Sequence, residues 1–301
     1  MQERFDLTDI LHQLEIPARH IGDQGFVALG KIDSICESQI LSFLFDEKYI
    51  DKVSDDVNLI ITTDELANGL VGRNICIVDK PQIAFFLVHN YLSDKPSYRR
   101  QDFKTQIGSG STISDHAYIA DNNVQIGDNV IIEEFVSIKE NSVIGNNVII
   151  RAGSVIGGEG FQFVNMGESI ISVKHLGGVV IGDCVEIQTN TGIDKAIYPW
   201  DDTIMQEHIK IGGSVHIDHA VKIGKRTLIA ANSLIAGNTI IGNDVWVGSS
   251  ATIRNSISIE NNARINMGAV VSKHVAEGKS VSGNFAIEHD LFVRNIKTMC
   301  D

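Results

Sequence analysis

Residues 211–275 read IGGSVHIDHAVKIGKRTLIAANSLIAGNTIIGNDVWVGSSATIRNSISIENNARINMGAVVSKHV, and this stretch decides the fold. An aliphatic residue recurs at every sixth position: Ile211, Ile217, Ile223, Ile229, Ile235, Ile241, Val247, Ile253, Ile259, Ile265 and Val271. Four residues after each anchor stands a small or β-branched residue, such as Val215, Val221, Thr227, Ser233 or Ala251. Gly and Asn are common between them. A period of six is neither the 3.6 of a helix nor the two of an alternating strand. It suits a short strand plus a turn, three such units closing one triangular coil. The anchor then fills the coil interior, and coils stack at the inter-strand spacing of ~4.8 Å. No coil buries its apolar face alone, so the stack is cooperative. The pattern predicts a mostly β chain built on a left-handed parallel β-helix of hexapeptide repeats.

Working outward, an earlier block keeps the same period through Ile126, Ile132, Ile138, Ile144, Ile150 and Ile156. Ile107, Ile113 and Ile119 begin the series, with one residue inserted before Ile126. The period is lost over residues 159–178 and again over residues 194–208. Insertions in a solenoid project from one face and often carry function. The first 100 residues lack the repeat and mix an amphipathic stretch (7–14) with apolar runs at 57–61, 74–78 and 83–91. They are expected to form a small α/β domain (residues 1–100), with the polar run 95–104 as a linker to a β-helix domain (101–284). The tail, residues 285–301, is expected to be a short helix.

Composition narrows the function. Of 301 residues only 6% are aromatic, and the net charge is −13. Phosphate affinity needs clustered Lys and Arg, so nucleic-acid binding is not expected. No window of about 18 residues is uniformly apolar, so no transmembrane segment is expected, nor a signal peptide over residues 1–14. Cys36, Cys76, Cys184 and Cys300 form no CxxC pair. Reduced thiols in the cytoplasm are the expectation, without a disulfide framework or structural zinc.

Three hexapeptides make an 18-residue coil, so His219, Gly237, Asn255 and Lys273 should stand one above another. Each lies two residues after an anchor, at a turn position whose side chain is expected to point outward. An imidazole beside a glycine whose N–H faces a ligand is what acyl transfer needs: a general base next to an oxyanion donor. The bland alternative is a solvated surface histidine. A second alternative is metal binding through the HxxH pair His216 and His219, for which no third ligand is evident and no metal is expected.

These residues bring in a resemblance that covers nearly the whole chain. SFLFDEKY (42–49), GGEGFQF (157–163), VVIGDCVEI (179–187), GID (192–194), DDTI (201–204) and HIDHAVKIG (216–224) resemble, in order and approximate spacing, the UDP-3-O-(3-hydroxyacyl)glucosamine N-acyltransferase family of lipid A synthesis. The last segment, with IAANSLIAG (229–237), is also similar to the related O-acyltransferase that makes the acylated precursor. The resemblance implies a homotrimer with sites between subunits. It implies His219 as the base that deprotonates the sugar amine, and Gly237 N–H as the oxyanion donor. Phe43, Asp46 and Tyr49 would hold the uracil of a UDP-sugar. Asp194, Lys195, His216, Asn255, Ser256 and Lys273 complete the expected substrate-binding set. The donor would be an acyl-coenzyme A or an acyl carrier protein, with no bound cofactor.

The chain departs from that family at Ser256, where a second histidine is usual. It departs also at Asp46 for Asn and at Lys195 for Arg, and in a shorter C-terminal extension. An amino-sugar nucleotide of O-antigen or capsule therefore suits the residues about as well as a lipid A precursor. Lys222, Lys225, Arg226, Arg254 and Arg264 are expected to form a basic strip for donor phosphates. A non-catalytic or metal-dependent, carbonic-anhydrase-like β-helix is the alternative.

Overall fold

The computed structural model describes residues 3–34, 39–283 and 288–291. The chain divides into two compact units. One comprises Met1–Phe103, Glu159–Gly178 and Lys195–Asp202, and the other Lys104–Gly158, Val179–Asp194 and Thr203–Asp301.

The second unit is a left-handed parallel β-helix. Among the described residues its short strands fall into three parallel sheets of eight, eight and nine strands, one sheet for each face of the coil. The register follows the 18-residue coil: Ile217 pairs with Ile235, Ile235 with Ile253, and Ile253 with Val271. In the first coil Ile107 pairs with Ile126 and Tyr118 with Ser137, so that coil holds the extra residue. The anchors form one buried column with the small residues beside them. Almost every turn places one residue in the left-handed region, as at Asn129, Asn147, Asn190, Asn232, Asn238 and Asn262. This is why Asn and Gly punctuate the repeat: for an L residue with a bulky side chain that conformation costs about 1–2 kcal/mol.

Turns are also tied vertically. The amides of Lys225 and Asn243 donate to the side-chain oxygens of Asn243 and Asn261, one coil on. Ser109, Asp128 and Asn146 do the same to Asp128, Asn146 and Asp183. The second interruption is shorter than the period suggested. The strand Asp202–Met205 restores the phase, with Met205 fully buried at an anchor position.

The first unit is α/β. Strands Asn74–Ile77, Val57–Thr62, Ile40–Phe43 and Ala28–Leu29 run parallel, and Arg19–Ile21 pairs antiparallel with the first of these. Side chains alternate between two cores. Leu41, Leu59, Ile61 and Cys76 join Phe85 and Val88 of the helix Pro81–Leu92. Ile40, Ile60, Ile75 and Ile77 pack in the other core with Val57 and Leu70.

Both insertions fold into this unit. Phe163–Asn165 and Ile170–Ser172 make an antiparallel hairpin. Asn90 holds it by donating to Ser172 O (2.8 Å) and accepting from Lys174 N (3.0 Å). Ile197 and Tyr198 are buried in the helix-side core. Trp200 stacks on Tyr198 and donates its Nε1–H to Leu29 O at 2.8 Å. The run 95–104, expected as a polar linker, is partly core. Pro96–Tyr98 is a 3-10 turn whose Tyr98 is buried against Phe5 and His89. The tail expected as a helix lies outside the described residues except for 288–291, of which 289–291 are helical. Cys76 and Cys184 are free thiols, and Cys36 and Cys300 lie outside the described residues. No helix among the described residues is long and apolar enough to cross a membrane.

Candidate active site at one corner of the coil

The corner after strands His216–Ile217, Leu234–Ile235 and Thr252–Ile253 carries, in successive coils, Asp218-His219-Ala220, Ala236-Gly237-Asn238 and Arg254-Asn255-Ser256. His219, Gly237, Asn255 and Lys273 thus stand in one column.

His219 does not point outward as expected; it is 5% exposed. A Cβ on Gly237 would lie 2.7 Å from its Cε1 and Nε2, so only glycine leaves room for the ring to lie in against the corner. Nor does the Gly237 amide face open space. It donates to Asp218 Oδ2 at 3.3 Å, while the His219 amide donates to Asp218 Oδ1 at 2.7 Å. The same carboxylate lies 4.0 Å from His219 Nε2. Sequence reasoning passed over Asp218; its only signal was a carboxylate set between two histidines.

His216 sits on the outer side of its strand, half exposed, with Nε2 3.0 Å from Asp194 Oδ2. Its pKa is raised, chiefly by that hydrogen bond; burial opposes the shift and the charges of Asp194 and Asp218 add to it. Asp194 is buried, and its carbonyl accepts from Thr203 Oγ1 at 2.6 Å. Thr203 in turn accepts from the amide of Ala220 at 2.8 Å. This chain of bonds ties the turn of His219 to the strand of Asp194.

The HxxH metal reading does not hold, because His216 faces out from the strand and His219 is tucked into the corner. Among the described residues, the donor atoms that gather within 4.8 Å belong to Asp194, His216 and Asp218. Asn255, Ser256 and Lys273 are exposed above Gly237. Ser256 takes the left-handed turn position. Lys195 belongs to the other unit, 4.0 Å from Glu159.

The basic strip divides. Hexapeptide steps carry Lys225 and Arg226 to the next corner, where Lys225 pairs with Glu207 at 2.6 Å and Arg226 with Asp244 through two bonds of 2.7 and 2.5 Å. Arg264 lies over the ring of Trp246. Lys222 begins the strand that leaves the His219 corner, and Arg254 stands exposed on that corner itself.

In the α/β unit the segment 42–49 turns at the carboxyl end of the strand Ile40–Phe43. Phe43 packs inward on Phe85 (4.8 Å between centroids) and Phe86. Phe45, two residues on, is 55% exposed and neighbours Tyr49. Asp46 caps the 3-10 helix Glu47–Lys52 and pairs with Lys48, which lowers its pKa. Lys48 and Lys52 lie 4.9 and 5.4 Å from the Tyr49 ring centre. Sequence reasoning named Phe43 and passed over Phe45, the aromatic ring that this segment leaves exposed.

Known proteins share this build. The bacterial transferase hexapeptide model (six repeats) matches residues 123–158 and 238–273. A UDP-3-O-acylglucosamine N-acyltransferase of Saccharophagus degradans is 48% identical over 73 residues, 24% of this chain and 21% of that protein. One of Pseudomonas fluorescens (strain Pf0-1) is 31% identical over 124 residues, 41% of this chain and 29% of its own. The matched part of the chain thus spans less than a third of these relatives. Among solved structures, the UDP-N-acetylglucosamine acyltransferases of Arabidopsis and of Bacteroides fragilis superpose with a TM-score of 0.52 at 22% and 23% identity. They cover 64% and 66% of this chain, and 67% and 75% of theirs, and at that identity they speak for the fold. The chain is a hexapeptide-repeat β-helix protein with local similarity to the UDP-3-O-acylglucosamine N-acyltransferases.

Proposed function

We propose that this chain is an N-acyltransferase that moves an acyl group, a 3-hydroxyacyl by its resemblance, from a thioester to the amine of a UDP-linked amino sugar. The observation that carries this reading is the corner where His219 Nε2 lies against Gly237, a glycine that no other residue can replace without displacing the ring. The similarity to N-acyltransferases supports it.

In this reading His219 Nε2 takes a proton from the amine as nitrogen attacks the thioester carbonyl carbon. The C–N bond forms, and the Gly237 amide meets the charge on the carbonyl oxygen. The C–S bond then breaks, and the thiolate takes the proton from the imidazolium. Phe45 and Tyr49 supply a stacking surface for a base, and Lys48 and Lys52 supply positive charge for its diphosphate. Arg254 and Lys273 serve the phosphates of an acyl-coenzyme A or carrier-borne donor. The chain works as a cytoplasmic homotrimer, in lipid A assembly or in the acylation of another surface saccharide.

Thiol release from an acyl-coenzyme A and from the matching acyl carrier protein tests the proposal. The expected result is release only when a UDP-linked amino sugar is present, with the N-acyl sugar formed in equal amount. Binding of metal in place of turnover, seen by elemental analysis of the purified protein, would favour the alternative that rests on Asp194, His216 and Asp218.

A further inference from the structure

One carboxylate accepts from two turn amides at the His219 corner, with His216 close by. Asp218 accepts from the amide of His219 at 2.7 Å and from the amide of Gly237 at 3.3 Å. One of its oxygens also lies within 4.8 Å of a ring nitrogen of His216. The two amide bonds are unequal: the first is short, and the second is at the long end of the hydrogen-bond range. Turn amides elsewhere donate to an Asn or Asp one coil further on or, as from Ala152 to Glu133 at 3.0 Å, back to the coil before; the backward bond at Gly237 is the longer of the two.

We propose that Asp218 is a positioning residue that covers the Gly237 amide in the ligand-free protein and turns onto His216 when the acyl donor binds. The proposal rests on the acyl-transfer reading above. If the Gly237 N–H is to meet the carbonyl oxygen of a thioester, Asp218 must leave it, because one N–H cannot serve a carboxylate and a developing oxyanion together. A displaced carboxylate is least disfavoured where a cation receives it; His219 Nε2, 4.0 Å away, must stay neutral to act as the base, which leaves His216, held against Asp194 at 3.0 Å. A rotation about the Cα–Cβ bond of Asp218 carries both oxygens off the two amides and so releases Gly237 with little backbone movement. No covalent step is involved.

The test is a double-mutant cycle on donor affinity, with Asp218→Asn, His216→Gln and the double variant, using acyl-coenzyme A without acceptor so that nothing turns over. Asp218→Asn keeps an oxygen for the His219 amide and removes the charge from Gly237. It is expected to tighten acyl-coenzyme A binding about fivefold, the scale of one weak hydrogen bond. His216→Gln is expected to weaken binding by a similar factor in the presence of Asp218. In the double variant, where no carboxylate needs a receiving cation, it is expected to add nothing to Asp218→Asn. Additive effects, or weaker binding in Asp218→Asn, overturn the proposal.

Amide hydrogen exchange at Gly237 gives a readout independent of donor and activity: Asp218→Ala must accelerate it, and an unchanged rate overturns the covering role. Accelerated exchange in a protein that binds no acyl thioester keeps the covering contact but overturns its link to a donor, and with it the acyl-transfer reading itself.

Discussion

Gly237 shows what a single residue decides here. A Cβ at this position would fall 2.7 Å from two atoms of the His219 ring. Gly237→Ala is therefore expected to push the ring out of the corner and to cut kcat by about 10²-fold, the scale of a lost oxyanion or base contribution. Steady-state kinetics on the folded variant check this, and a wild-type kcat would show that the ring tolerates the methyl group. The glycine and the histidine were legible in the sequence because the repeat itself fixes which residues stack. Asp218 was not, since its role depends on which amide lies above it, and the period says nothing of that. The burial of His219 was hidden for the same reason: the outward turn position turns inward only because the residue one coil above lacks a side chain.

The elements of the α/β unit carry two further expectations. The sequence SFLF alternates, and the end of the strand turns Phe43 towards the helix Pro81–Leu92 while Phe45 emerges. Phe45→Ala is thus expected to raise KM for the UDP-sugar several-fold with kcat nearly unchanged, because stacking acts in the ground and transition states alike. Phe43→Ala is expected to lower stability instead; the reverse pattern would return the base to Phe43. The second expectation concerns the clamp on the hairpin. His89 is fully buried, with Nε2–H donating to Lys174 O at 2.8 Å and Nδ1 accepting from Tyr98 Oη at 3.2 Å. Burial depresses its pKa to about 4. A histidine held neutral stabilises the fold fully above its ordinary pKa near 6.5, and this is lost as the pH falls towards 4. Between about pH 8 and pH 5 the loss is about 2 kcal/mol. Urea unfolding at the two pH values should show it, and His89→Gln should flatten the dependence. Neither contact was visible in the sequence, where His89 sits in an apolar run, Tyr98 reads as part of a polar linker, and Lys174 lies inside an insertion of the repeat array.

At the scale of the molecule, the β-helix was readable almost to the residue, because one period fixes strand, turn and stacking together. The one misreading of its phase was Met205, an anchor that is neither branched nor aliphatic. The α/β unit was legible only as a class: its strand order comes from packing between segments of the first 100 residues, and its helix-side core takes Val164, Val173, Ile197 and Tyr198 from inside the repeat array. The repeat array thus supplies the corner on which the proposed chemistry depends, with His219 as its base. The direct measurement is kcat of His219→Ala for acyl transfer to a UDP-linked amino sugar, on protein whose circular dichroism and native mass match those of the wild type. A fall of at least ~10²-fold is the predicted result. Unchanged turnover in that folded variant would remove His219 from the mechanism.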